Sequence, residues 1–248
     1  IEGTKKYPDK NQLKEKLFSV GSNSGQLETI NLSNDEGIIE HVCLRAKKLN
    51  YDSLIVATDS NEIKTLIDNI NIETYLSKKK YLNGTERIAD LCKKRSFDKN
   101  DIIINIQGDE LSFPVNAVNK MINYLKKSKE KEMTTVVVQS NNRNNYINKD
   151  YVKVITNKNN NALYFSRSPL PYDSSSNYLL HIGLYGYKVS LLNEYLLFKK
   201  STGEAKESLE QLRFLYNDIQ IKCIKLKKHN SISINSLNDL KLAQKLIR

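Results

Sequence analysis

Asp101-Ile102-Ile103-Ile104-Asn105-Ile106-Gln107-Gly108-Asp109-Glu110 is the stretch that decides the fold. Four isoleucines fall within five positions, just after the polar run Asp98-Lys99-Asn100. A short run apolar at successive positions predicts a strand buried on both faces, as in a sheet covered by helices on each side. Gln107-Gly108 ends the strand, and Asp109-Glu110 sets carboxylates at its carboxyl end, where open α/β sheets bind ligands. Gly108 lets a ligand approach the backbone closely. Asp109 is an oxygen ligand of the kind Mg²⁺ prefers. The plainer reading of the acidic pair is a βα turn that caps the next helix.

On either side of this strand the hydrophobic period switches between two and 3.6. Ile38, Ile39, Val42, Ala46 and Leu49 form one helical stripe, and Leu54 to Ala57 a strand ending at Thr58-Asp59. Ile63, Leu66, Ile67 and Ile70 mark a second helix, Ile72 to Tyr75 a short strand, and Thr85-Glu86 the opening of a third helix. Beyond the central strand, Pro114 leads in a helix with Val115, Val118, Met121, Ile122 and Leu125 inward. Leu17 to Val20 is a short first strand, and Gly21 to Gly25 a loop. That loop is a surface loop or a phosphate cradle, and the full phosphate-binding pattern is missing. This alternation predicts an α/β fold with a mainly parallel central sheet and helices on both faces.

The second half is less regular. Thr134 to Val138, Leu180 to Tyr187 and Ile219 to Leu226 read as strands. Tyr151 to Thr156 and Ala162 to Ser166 read as a hairpin around Asn157-Lys158-Asn159-Asn160, and the asparagine-rich run Asn141 to Asn148 as a surface loop. Glu207 to Tyr216 reads as one helix, and Ser236-Leu237-Asn238-Asp239 as the capped start of a last one. No composition break divides the chain, which predicts a single domain over residues 1–248 with the lysine-rich first sixteen residues disordered.

Composition narrows the function. The chain has 248 residues and a net charge of +11, with its lysines scattered in twos and threes. Scattered runs are solvated faces rather than a nucleic-acid footprint, so no nucleic-acid partner is expected, and an anionic small substrate suits the charge. Cys43, Cys92 and Cys223 are odd in number and widely spaced, which argues for a reducing compartment and against zinc. No apolar run is long enough to span a membrane and no signal-peptide pattern opens the chain, so a cytoplasmic enzyme without a membrane partner is expected.

Five stretches in register resemble the CMP-Kdo synthetase family, the 3-deoxy-manno-octulosonate cytidylyltransferases. Asn83-Gly84-Thr85-Glu86-Arg87 resembles its S-G-T-E-R, and Asn105 to Glu110 its N-x-Q-G-D-E-P. Ala162 to Arg167 resembles A-L-Y-F-S-R, His181 to Tyr185 resembles H-I-G-x-Y, and Glu207 to Arg213 resembles E-x-L-E-Q-L-R. The resemblance covers roughly residues 37 to 248. It implies a three-layer, Rossmann-like nucleotidyltransferase fold, a homodimer, and a Mg²⁺-dependent reaction. In it the anomeric hydroxyl of Kdo attacks the α-phosphate of CTP, giving CMP-Kdo and pyrophosphate for lipopolysaccharide synthesis.

The resemblance also assigns residues. Asp109 would hold Mg²⁺ against the triphosphate, and Asp109 and Arg167 would carry the chemistry. Gly84, Thr85, Arg87 and Gln107 would bind the nucleotide. Gln107, Arg167, His181, Tyr185, Glu210 and Gln211 would bind the sugar acid. Each has a plainer reading: a helix-face charge for Arg87 and Glu210, a structural ion pair for Arg167, core for Tyr185. The hairpin of residues 151–166 is expected to help build the homodimer.

Two departures stand against this. The family's first strand leads into a loop resembling I-P-A-R-x-x-S-x-R-x-P-x-K-x-L, whose basic residues grip the triphosphate. Residues 17–27, L-F-S-V-G-S-N-S-G-Q-L, hold no arginine or lysine. Where the family has G-V-D-T, with its Asp as second metal ligand, this chain has Ser233-Ile234-Asn235-Ser236. Asn235 can offer an amide oxygen to Mg²⁺ but no charge. Two readings follow: a synthetase with a divergent nucleotide loop, or a weak or inactive relative that binds sugar acid or nucleotide.

Overall fold

The computed structural model describes residues 17–21, 31–33, 36–128, 131–173, 177–228, 233–234, 239, 241 and 243–245. Residues 1–16, most of the 21–25 loop, Asn235 and most of the final capped segment lie outside the described residues. β1 (Leu17–Gly21) is followed by a small antiparallel ladder of β2 (Asn31–Ser33) and β3 (Glu36–Gly37). Helix and strand then alternate through α1 (Ile38–Ala46), β4 (Ser53–Thr58), α2 (Asn61–Asn69), β5 (Glu73–Leu76), α3 (Gly84–Lys94), β6 (Ile102–Gln107) and α4 (Val115–Lys127). The second half runs β7 (Glu132–Ser140), α5 (Arg143–Ile147), β8 (Lys153–Thr156), β9 (Ala162–Ser166), β10 (Tyr178–Lys188), α6 (Val189–Tyr195), α7 (Thr202–Glu207), α8 (Gln211–Tyr216) and β11 (Gln220–Leu226).

The isoleucine-rich stretch is the central strand β6, and its residues divide between two hydrophobic cores. Ile102, Ile104 and Ile106 join one cluster with residues of α1, α2 and α4. Ile103 joins the other with residues of α3 and α6. Side chains alternate across a strand, so a strand apolar at successive positions must have a core on each face. The sequence therefore demands the three layers seen. Each isoleucine fully removed from water contributes about 1.5–3 kcal/mol.

The sheet order is β11-β7-β10-β6-β1-β4-β5, with β8 and β9 continuing from β10. The expected mainly parallel sheet needs correction to a mixed one. β1 pairs in parallel with β4 and β6, β4 with β5, and β11 with β7. β10 is antiparallel to β6, β7 and β8, and β8 to β9. Strand direction is set by how the chain returns to the sheet, and local hydrophobic pattern carries no record of that.

Two further expectations are corrected. The 141–148 run is not all loop: Asn142 accepts hydrogen bonds from the amides of Asn144 and Asn145 and caps α5. Tyr146, 3% exposed, anchors that helix in the core. Glu207 to Tyr216 is not one helix. Ser208 adopts φ 52°, the left-handed region, which ends α7 at Glu207 and lets the chain restart as α8 at Gln211. The break matters, because it turns Glu210 and Gln211 into the site. The 151–166 hairpin forms as expected.

Candidate active site

The site begins where β6 ends. Gln107 is its last residue, and the amide of Glu110 donates to the Gln107 carbonyl at 3.1 Å, closing a turn around Gly108-Asp109. The amide of Ile234 donates to the Asp109 carbonyl at 3.1 Å, and Ser233 bridges Glu110. The Asp109 backbone is thus fixed at the carboxyl end of the central strand, its carbonyl accepting the Ile234 amide. The segment directly before Asn235 is what holds it.

β10 brings the opposite wall. Because it runs against β6, its amino-terminal half lies at the carboxyl end of its neighbours. Its pairing with β7 slips between Ile182 and Tyr185, a bulge that leaves the Gly183 amide without a ladder partner on β7. Glu110, 4% exposed, accepts that amide at 2.6 Å through Oε1. A Cβ on residue 183 would lie 2.4 Å from Gln107 Oε1 and 2.8 Å from Glu110 Oε1, so the two strands meet only over glycine.

The bulge orients His181 and Tyr185. Their rings stack at 5.3 Å, and Phe165 packs edge-on to His181 at 5.4 Å. Thr135 Oγ1 donates its one proton to the Leu184 carbonyl at 2.8 Å. Its 3.0 Å contact with His181 Nε2 must then be donated by the imidazole, which assigns the proton to Nε2 and leaves Nδ1 as an acceptor. Burial pushes the His181 pKa down to about 3, so the ring is neutral at physiological pH. Tyr185 donates to Gln211 Oε1 at 3.3 Å. Gln211, 1% exposed, keeps its Nε2 buried without a hydrogen-bond partner among the described residues.

The third wall comes from the α7–α8 break and the start of α3. Asn83 caps α3 by accepting the Glu86 amide at 2.9 Å. Glu210 accepts the next orphan amide, that of Thr85, at 3.1 Å. Burial raises the Glu210 pKa, and the Thr85 contacts oppose it. Arg167 donates through Nε to the Glu207 carbonyl at 2.7 Å and through Nη1 to the Lys149 carbonyl at 3.2 Å. Behind this wall, Arg213 is 3% exposed and pairs with Glu204 at 2.5 Å and Glu86 at 3.0 Å.

These walls enclose a cleft of about 490 Å³. Gln107, Asp109 and Arg167 line it together with His181, Tyr185, Glu210 and Gln211, although they are up to 104 positions apart, from 107 to 211. Arg87, which the resemblance sets on the nucleotide, does not line it. It lies 2% exposed behind α3 and reaches the Ala57 carbonyl at 3.3 Å and Asp59 at 3.5 Å, at the end of β4. Gly84 and Thr85 also fall outside the lining; Thr85 is buried and meets the Tyr187 hydroxyl at 3.1 Å. The motif names the right helix but not the face each residue takes.

The lining is acidic: Asp109, Glu110, Asp150, Glu204 and Glu210 face it against Arg167 and Lys200. Burial raises the pKa of both Asp109 and Glu110. Crowded carboxylates with hard oxygens suit a cation such as Mg²⁺. Among the described residues no group of three or more side chains could hold a metal alone, so Mg²⁺ would rest on Asp109 and on substrate oxygens.

Sequence reading singled out neither Glu110, which lines the cleft, nor Glu207, which holds Arg167 from outside the lining. Both stood inside quoted motifs, but the contacts that matter, to Gly183 and to the backbone of Arg167, depend on tertiary pairing.

The cytidylyltransferase family model matches residues 30–223. A 3-deoxy-manno-octulosonate cytidylyltransferase from Fusobacterium nucleatum is 40% identical over 222 residues, covering 88% of this chain and 89% of that protein. One from Francisella philomiragia is 34% identical over 218 residues, covering 84% and 87%. A solved CMP:2-keto-3-deoxy-manno-octonic acid synthetase complexed with CTP matches with a TM-score of 0.81 at 24% identity, over 94% of this chain and 97% of that one. A 4-diphosphocytidyl-2C-methyl-D-erythritol synthase from Anaerococcus prevotii shares the fold at a TM-score of 0.60 and 13% identity, over 94% and 96%. By these matches the chain belongs to the cytidylyltransferases, and among them to the 3-deoxy-manno-octulosonate cytidylyltransferase, or CMP-Kdo synthetase, family.

Proposed function

We propose that the protein couples CTP and Kdo to CMP-Kdo and pyrophosphate, in the cytoplasm, for lipopolysaccharide synthesis. The observation that carries this is the convergence of Asp109 with His181, Tyr185, Arg167 and Gln211 in one cleft at the carboxyl end of the central strand. Transfer of a nucleotidyl group needs positioning and charge neutralisation more than covalent chemistry. Asp109 would hold Mg²⁺, which when bound supplies positive charge to the triphosphate. Arg167 would present its guanidinium to the sugar carboxylate. Neutral His181 would accept a sugar hydroxyl at Nδ1, and the Gln211 amide would donate to the same ring. Arg87 would act on the nucleotide side indirectly, by bracing α3 against the end of β4. Three free thiols, Cys43, Cys92 and Cys223, suit a reducing compartment. The edge strand β9, with Leu163 and Tyr164 exposed, suits the expected homodimer.

The test is direct: purified protein with CTP, Kdo and Mg²⁺ should release pyrophosphate. A second reading, an inactive binding relative, is favoured by the absence of arginine and lysine from residues 17–27. It predicts binding of Kdo or CTP by calorimetry with no pyrophosphate released.

A further inference from the structure

Lys153 has no exposed surface, although it is a lysine on a short hairpin strand. A buried ammonium is costly unless each of its donors is satisfied. Here three backbone carbonyls converge on Nζ: Asn148 at 3.0 Å, Tyr151 at 2.5 Å and Arg167 at 2.6 Å. The first two belong to the segment between α5 and β8, the third to the end of β9. One cation therefore ties two separate stretches of chain together.

Both stretches hold Arg167. Its carbonyl is bound by Lys153, and its amide donates to Glu207 Oε2 at 2.9 Å. Its Nη1 donates to the Lys149 carbonyl, on the very segment that Lys153 anchors. Lys153 thus fixes the backbone of Arg167 and also one acceptor of its guanidinium. Burial first, then the nearby Arg167 charge, lowers the Lys153 pKa to about 8, against the pull of Glu207 and Asp150.

We propose that Lys153 is a positioning residue for Arg167, holding the guanidinium at the angle the cleft requires for an anionic substrate. The use made of Arg167 rests on the reaction proposed above; the positioning itself does not. Lys153→Met removes the charge and the donors and keeps most of the length. It should raise KM for Kdo about tenfold or more with a smaller change in kcat, and lose that effect in an Arg167→Ala background. Equal losses in both backgrounds would make Lys153 a general structural support and overturn the proposal, as would no loss in either. Should Lys153→Met not fold, Lys153→Gln, whose amide can still reach two carbonyls, takes its place in the same cycle.

A second measurement is independent of turnover. The Nε–H resonance of Arg167, assigned by its loss in Arg167→Ala, should shift and broaden in the Lys153 variant. That of Arg213, held by Glu204, should stay. An unmoved Arg167 signal overturns the proposal even in an active enzyme. A moved signal in a protein that releases no pyrophosphate upholds the positioning role and sinks the reaction instead.

Discussion

Glu110 and Gly183 are joined across β6 and β10 by a 2.6 Å hydrogen bond from the glycine amide to Oε1. It closes the bulge that places His181 and Tyr185 opposite Asp109. Glu110→Ala leaves a buried amide without an acceptor, which costs about 1–3 kcal/mol. Glu110→Gln keeps an acceptor oxygen and should lose clearly less. Urea denaturation of the two variants compares them; equal losses would show that the hydrogen bond contributes little.

Gly183→Ala places a methyl group against Gln107 and Glu110 at distances no Cβ tolerates. Gln107 can swing away, while Glu110 is pinned by its own hydrogen bond. The expected cost is about 1–3 kcal/mol, typical of an overpacked interior. Activity should fall further than stability alone explains, because the Gln107 amide leaves the cleft. Thermal melts and pyrophosphate release together check both parts.

His181 links stability to pH. Its folded pKa of about 3 lies below the 6.5 of the free side chain, so between those values the unfolded chain binds the extra proton. Stability from this group is present above pH 6.5 and is lost as pH falls toward 3. Asp109, Glu110 and Glu210, whose folded values are raised, act with the opposite sign. The wild-type curve mixes both. The difference between wild type and His181→Gln isolates the histidine, and the variant should gain stability relative to wild type on going from pH 7.5 to about pH 5. A constant difference across that range refutes the assignment.

Arg213 sits between Glu204 and Glu86 and over the Tyr195 ring at 4.5 Å. Arg213→Met strands two carboxylates beside a buried ring, and breaking such a pair costs about 3–5 kcal/mol. Lys64→Met breaks the Lys64–Asp68 pair instead, with both side chains well exposed, and should change stability by about 1 kcal/mol or less. Parallel denaturation curves test the contrast.

The proposed role of Asp109 as a Mg²⁺ ligand is open to a simple test. Turnover should stop with EDTA and return with Mg²⁺. Asn235→Asp restores a carboxylate where the family pattern has one and should lower the Mg²⁺ concentration for half-maximal turnover, with little change in melting temperature. An unchanged Mg²⁺ titration removes Asn235 from the site.

The architecture around β6 was legible because a strand buried on both faces leaves a continuous apolar signature in one short window. β10 is equally buried, yet its direction was not legible, since that depends on the path of the chain through residues 141–177. α5 was hidden by asparagines, poor helix formers that here serve as its cap. The α7–α8 break rests on one serine in a left-handed conformation, which no local residue announces. Function came through motif resemblance, and motifs preserve residue identity better than direction. Arg167 and His181 therefore meet in the cleft, while the Arg87 side chain turns beneath α3 toward the Ala57 carbonyl.

The acidic cleft lies in a protein of net charge +11. At long range such a molecule draws anions toward it, while the carboxylates lining the cleft leave Arg167 and Lys200 as the places where an anion can settle. The net charge steers an anion to the molecule, and the arrangement of charge inside the cleft sorts where it comes to rest. Encounter rates should therefore fall with ionic strength, as steering by the whole protein is screened.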